Sequence, residues 1–176
     1  MHWFVLLVRT NSEEQVLNLF KSLLNDRIYK PFIPKKAWPH VKGKNVHKEI
    51  KISFPGYVFF QSQESVDDFI RNVRPIVNNI KDAYYFLYYG EDKNDIAMRD
   101  SERRQIESLM DDAFLMDSSL GFIEGDYVKI TSGALIGMES KIIKINKRKN
   151  TAVINMDMLG AVRPLTMMLE VLTKLE

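Results

Sequence analysis

The sequence predicts an α+β chain of two domains, and three observations carry that reading. Helix and strand periodicities alternate as far as Met116; from Phe122 onward only short strands separated by turns are legible; and the change falls at a polar connector, Asp117-Ser118-Ser119. The predicted boundaries are a first domain over residues 1–116, a linker over 117–121 and a second domain over 122–176. A chain of 176 residues with 45% hydrophobic and 27% charged composition can bury two small cores or one large one.

Taken in order, Trp3 to Thr10 is almost continuously apolar, as a strand covered on both faces would be. Ser12 is placed to cap a helix, with Gln15 three residues on, and Val16, Leu17, Phe20, Leu23 and Leu24 form its apolar stripe. Tyr29 to Lys35 reads as a short strand interrupted by Pro31 and Pro34, followed by a loop over Pro39 to Lys44 and a basic strand from Val46 to Ser53. A second helix starts at Ser65 with a capping box to Asp68, carries Val66, Phe69, Ile70 and Val73 on one face, and is expected to end before Pro75. Ala83 to Tyr89 is an aromatic strand closed by Gly90. The last helix is expected from Asp100 to Phe114, burying Ile106, Leu109, Met110 and Phe114. This β-α-β-β-α-β order is the split unit of a ferredoxin-like domain, an antiparallel sheet with helices on one face and the other face available.

The stretch Phe54-Pro55-Gly56-Tyr57-Val58-Phe59-Phe60 is the most informative. Pro55 fixes its φ and donates no hydrogen bond, and Gly56 permits a bend, so the pair suits a strand entrance. Alternation then puts Tyr57 and Phe59 on one sheet face and Val58 and Phe60 on the other. Two readings follow: both faces are buried, or Phe54, Tyr57 and Phe59, joined by Leu7 and Val5, line an exposed apolar docking surface. No run of alternating aromatics with glycine and basic residues marks this sheet as a base-stacking platform.

In the second domain the expected strands are Tyr127 to Thr131, Lys141 to Asn146, Thr151 to Met156, Ala161 to Leu165 and Glu170 to Leu172, with turns at Ser132-Gly133, Asn146 to Asn150 and Leu159-Gly160. Five short strands suit a small barrel. Charge is unevenly placed: residues 1–121 carry 17 basic and 17 acidic residues, residues 122–176 carry 8 and 6. Between Arg27 and Lys51 eight basic residues face the single acid Glu49, and Lys35, Lys36, Lys42, Lys44 and Lys48 are the candidate contacts to a phosphate backbone. A second basic set, Lys129, Lys141, Lys144, Lys147, Arg148, Lys149 and Arg163, can share one face of a barrel of this size, where it would bind RNA phosphates.

Other function classes find little support. The chain has no cysteine, so disulfides, thiolate metal sites and cysteine nucleophiles are excluded, in keeping with a cytoplasmic protein. His2, His40 and His47 match no metal-ligand spacing, no P-loop, dinucleotide fingerprint or Gly-x-Ser-x-Gly elbow occurs, and Asp67-Asp68 and Asp111-Asp112 point in different directions on their helices. No catalytic residue, metal or cofactor is therefore expected. The Trp3–Val8 apolar run is too short for a membrane span.

Phe54-Pro55-Gly56-Tyr57 together with Trp3-Phe4-Val5 resembles the N-terminal NGN domain of the NusG family of transcription elongation factors. Phe122-x-x-Gly125-Asp126-x-Val128-x-Ile130, followed by Gly133 and Gly137, looks like the KOW motif of that family's SH3-like C-terminal domain, and Leu159-Gly160-Ala161 with Pro164 matches a later turn. The usual glycine after Gly137 is absent, with Met138-Glu139-Ser140 in its place, and this departure together with the basic turn resembles the specialised LoaP-type antiterminators. The resemblance implies docking on the clamp helices of the largest RNA polymerase subunit through Leu7, Phe54, Pro55, Tyr57 and Phe59, processive antitermination, and recognition of an RNA hairpin by the KOW domain. It also implies proximity of the Lys35–Lys51 region to upstream or non-template DNA, and a monomer. The alternative is a general elongation factor whose KOW domain contacts a ribosomal protein or termination factor. β-Branched residues dominate Ile142 to Met156, which favours a lasting β domain over the helical hairpin some family paralogues adopt.

Overall fold

The computed structural model describes residues 1–43, 45–125 and 127–172. Lys44 of the basic block and Asp126 of the KOW-like motif lie outside the described residues. In chain order the elements are β1 (His2–Val8), α1 (Glu13–Leu23), β2 (Tyr29–Phe32), β3 (Lys35–Lys42), β4 (Asn45–Ile52), β5 (Tyr57–Ser62), α2 (Val66–Val77), β6 (Ala83–Phe86), α3 (Asp100–Glu107), β7 (Leu115–Met116), β8 (Ser119–Glu124), β9 (Tyr127–Ser132), β10 (Ile142–Asn146), β11 (Thr151–Met158) and β12 (Ala161–Leu172). Two compact units interleave along the sequence. The first takes Met1–Ile33, Phe54–Arg103 and Asp157–Ala161; the second takes Pro34–Ser53, Arg104–Met156 and the chain from Val162 onward.

The first unit is built on a four-stranded antiparallel sheet of order β2-β5-β1-β6, with α1 following β1 and α2 following β5, as the split βαββαβ reading requires. Alternation along β1 and β5 decides what each face holds. Phe4 stacks on Phe69 of α2 with ring centroids 3.7 Å apart, and Phe60 meets Phe20 of α1 edge-on at 4.9 Å. Phe86 closes the cluster against Phe60 and Phe69. All five rings are buried, and each contributes about 1.5–3 kcal/mol of transfer free energy.

Several elements differ from expectation for identifiable reasons. Asp68 does cap α2 through Ser65, whose Oγ accepts from the Asp68 N–H at 3.1 Å, yet the helix runs through Pro75 to Val77. Position 75 is exposed and one turn from the helix end, so the lost bond to the Arg71 carbonyl falls where water can replace it. Ser12 makes no capping bond; its hydroxyl donates to Asp82 Oδ2 at 3.2 Å instead. The helix α3 stops at Glu107, where the N–H groups of Leu109 and Met110 turn to the carbonyls three residues back, both at 3.1 Å; Asp111 Oδ1 then accepts from the Ala113 and Leu115 N–H groups, both at 2.9 Å, and Phe114 takes φ +60°. Ile106 and Leu109 are buried as expected, whereas Met110 and Phe114 are only half-buried. The strand β6 ends at Phe86, short of Tyr89, whose N–H is taken by the Asp95 carbonyl at 2.9 Å.

In the second unit the expected loop over Pro39 to Lys44 is mostly strand. β3 and β4 form a hairpin in register from Lys35↔Ile52 to Lys42↔Asn45, and β7 adds to β3 in parallel. Five further strands hydrogen-bond in the order β10-β11-β12-β8-β9, an open order, and no closed barrel is found among the described residues. Residues 119–121, expected in a linker, already belong to β8. The two expected strands 161–165 and 170–172 are one, β12; its pairing with β8 starts at Leu169, which leaves Pro164 outside it. Gly133 makes the β9 turn possible: its φ is +93°, and a Cβ there would meet the Ser118 carbonyl at 2.1 Å. Leu135, Ile154, Met156, Met167 and Leu169 fill the core, the methionines adapting to the space between branched neighbours.

Candidate functional site

The aromatic stretch places its side chains as alternation predicts, but at different depths. In the ladder Val5 faces Phe59 and Leu7 faces both Tyr57 and Tyr85, so these side chains share the sheet face opposite the helices. Phe59 and Phe54 are nevertheless buried, because Trp3, Phe32 and Phe54 close around Phe59 with centroids 6.3, 5.5 and 5.6 Å away. The surface expected of Phe54 and Phe59 belongs instead to half-buried Leu7 and Tyr57, exposed Pro55, and Tyr85, which is 52% exposed.

The bend feeding this surface is pinned from beneath. Gly56 has φ +86°, its N–H donates to Glu13 Oε1 at 2.6 Å, and its carbonyl accepts from Val8 N–H at 2.8 Å. Glu13 is buried to 2% exposure, so a charged acceptor at the start of α1 is spent on one loop amide. Its only trace in the sequence is an acid in a first helical turn.

A second buried acid in the same unit, Glu102, receives the Tyr89 hydroxyl and the N–H groups of Leu159 and Gly160 at 3.1 and 3.3 Å. Burial first, and then the bond to Glu102, push the Tyr89 hydroxyl well above its ordinary pKa. The Arg99 guanidinium lies 4.1 Å from the Tyr89 ring and is held by Asp95.

A family model described as transcription termination factor nusG matches residues 1–107. The chain belongs to the NusG family. NusG-family factors bind RNA polymerase and act in transcription elongation or termination, and the match spans the four-stranded sheet, its helices and the β3/β4 hairpin. No curated protein matches the chain.

For a NusG-family chain the placement of cations matters next. The hairpin pleat sorts its lysines: Lys36 and Lys42 share a face with Trp38 and Lys51, while Lys35 and Lys48 lie on the other. Lys48 is paired with Asp117 at 3.2 Å. Lys36 is 8% exposed, its Nζ donates to the Thr166 carbonyl at 2.6 Å, and burial, reinforced by Lys51, lowers its pKa to about 8. The expected block thus resolves into one buried amine, Lys36, two ion pairs, Lys48 with Asp117 and Lys51 with Glu49, and a Trp-bearing face.

Of the C-terminal set, Lys144 on β10 and Arg148 and Lys149 in the 3-10 turn 147–149 line one recess with Trp38 and Pro39. Asn146 fixes that turn by accepting from the Lys149 N–H at 3.0 Å. Lys129 lies on β9 with its amine 5.9 Å from the Phe122 ring; Lys141, Lys147 and Arg163 are not among the residues lining the recess. Sequence reading missed Trp38, although an indole inside a lysine-rich block was a legible signal. Among the described residues no group of three His, Asp or Glu side chains comes together that could hold a metal ion, and no helix is long and apolar enough to cross a membrane.

Proposed function

We propose that the chain is a processive antitermination factor of the LoaP type, docking on the polymerase clamp helices through Leu7, Tyr57 and Pro55 with Phe54 and Phe59 as the rigid layer behind. Residues 1–116 act as the NGN domain, 117–121 as the linker and 122–176 as an SH3-like KOW domain. The KOW domain binds a structured RNA, and Lys42, exposed on the hairpin, faces nucleic acid, while Lys36 is buried and serves the packing behind it. Preferential binding to the elongating form of the polymerase shifts the enzyme away from paused states. No catalysis is involved, and the work is done in the cytoplasm.

One observation carries the RNA part of this reading. Lys144, Arg148 and Lys149 are exposed and make no ion pair with a described residue, unlike Lys48, Lys51 and Arg99, which are each neutralised. Three unneutralised cations around one recess favour a polyanion. Transcription by the polymerase through a terminator placed downstream of candidate hairpin-coding leaders tests it: readthrough should rise only with the full chain and only on leaders whose RNA it binds.

A second reading has its own support. Ile123, Val128, Ile142, Ile143 and Ile145 line an apolar recess beside Tyr127, which is 81% exposed, and such a surface suits a ribosomal protein or termination factor. Readthrough independent of the leader, with tight binding to such a protein, would favour a general elongation factor.

A further inference from the structure

The recess at Trp38 has features that plain phosphate attraction does not require. Its volume is about 500 Å³, within the range of pockets that hold small organic ligands. No acidic residue is among those lining it. One wall is the indole of Trp38, half-buried and therefore offering part of its surface. The lining also includes Lys144, Asn146, Arg148 and Lys149, from β10 and the turn after it, about a hundred residues further along the chain and within the second unit.

The indole is held in place by its neighbours. Lys36 and Lys51 put their ammonium groups 4.9 and 5.2 Å from its ring centroid, the first anchored on the Thr166 carbonyl and the second on Glu49 at 2.8 Å, which His40 also approaches at 3.5 Å. An aromatic plate fixed by cations, beside a concave wall of three unneutralised cations, matches the two halves of a nucleotide: a flat base and its charged phosphates. A paired base is already stacked and cannot enter a recess of this kind, whereas a base in a loop or bulge can.

We propose that this recess receives a single unpaired nucleotide of the bound RNA, its base stacked on Trp38 and its flanking phosphates on Lys144, Arg148 and Lys149. The proposal rests on the RNA-binding reading above and adds what part of the RNA is read. It also merges two basic patches that the sequence assigned to different nucleic acids.

The test uses the full chain and labelled RNA hairpins carrying 2-aminopurine at one loop position, with a blunt RNA duplex, the DNA version of each hairpin and a poly-glutamate peptide as comparisons. Wild type should prefer the looped RNA to the duplex and quench the 2-aminopurine. Trp38→Ala should lose about tenfold or more in affinity, together with the quench, and keep its salt dependence; Trp38→Phe should retain most of both. Lys144→Ala, Arg148→Ala and Lys149→Ala combined should flatten the salt dependence. Equal binding of duplex and loop, or Trp38→Ala binding like wild type, would overturn the nucleotide pocket while leaving RNA binding by charge intact. Equal affinity for the DNA hairpin, or displacement by poly-glutamate as readily as by RNA, would overturn the assignment to RNA. If wild type binds none of the hairpins, the RNA reading itself falls.

Discussion

The sheet face of the first unit and the Trp38 recess of the second use aromatic and charged groups in opposite ways. On the sheet, Trp3, Phe32, Phe54 and Phe59 are consumed by one another, and the acids Glu13 and Glu102 are consumed by backbone amides. What is left for a partner is the outer row of Leu7, Tyr57 and Tyr85. At the recess, the indole is half-buried and three exposed cations make no ion pair with a described residue. Residues that satisfy each other build a rigid platform; cations without an ion pair remain available to an outside charge. Mutations should therefore separate into large stability effects with indirect functional loss, and small stability effects with direct loss.

The largest effect is expected at Phe59→Ala, which removes a fully buried ring and should cost about 3–5 kcal/mol by chemical denaturation, while truncation of half-buried Tyr57 to Ala costs clearly less yet loses binding of a clamp-helix fragment. Equal costs for the two would erase the distinction between platform and surface. Glu102→Ala should follow at about 1–3 kcal/mol, since the amides of Leu159 and Gly160 lose their acceptor, and hydrogen exchange at those two positions should rise with it.

A pH effect comes next in size. Lys36 titrates near pH 8 in the folded chain against 10.5 for an ordinary lysine, so between those values the unfolded chain holds a proton the folded chain has lost. Raising the pH through that window should favour the folded state, and the gain should vanish in Lys36→Met when denaturant midpoints are compared at pH 7.5 and 9.5. The smallest stability effect belongs to the combined Lys144, Arg148 and Lys149 alanine variant: within about 0.5 kcal/mol of wild type, with the salt dependence of RNA affinity reduced. A large destabilisation there would mean that these cations are part of the platform after all.

The same contrast governs what could be read from the sequence. Period-2 alternation gave the correct face for Tyr57 and Phe59, since pleating depends only on local geometry. It could not give depth, because Phe59 is covered by Trp3 and Phe32, residues tens of positions away. The N-cap at Ser65 was legible and forms, although the Asp68 carboxylate accepts from the Ser65 hydroxyl; the cap at Ser12 does not form, because Asp82, seventy residues on, takes the hydroxyl. Counting lysines located the basic block, but only strand register shows that Lys36 and Lys48 point to opposite sides and that Lys48 is paired. The family was readable from Phe54 to Tyr57 because that motif specifies backbone geometry.

The interleaving of the two units has a consequence for synthesis. The hairpin Pro34–Ser53 leaves the ribosome early, yet the unit it belongs to takes its Thr166 carbonyl and the rest of β12 from the chain beyond Val162; the first unit, in turn, includes Asp157–Ala161. Neither is complete in a nascent chain that stops short of those residues. Both units therefore wait for the stretch 157–166 before they can close, and until Thr166 is made the β3/β4 hairpin holds Lys36 without the carbonyl that anchors it, a period in which premature contact with anionic polymers is a hazard.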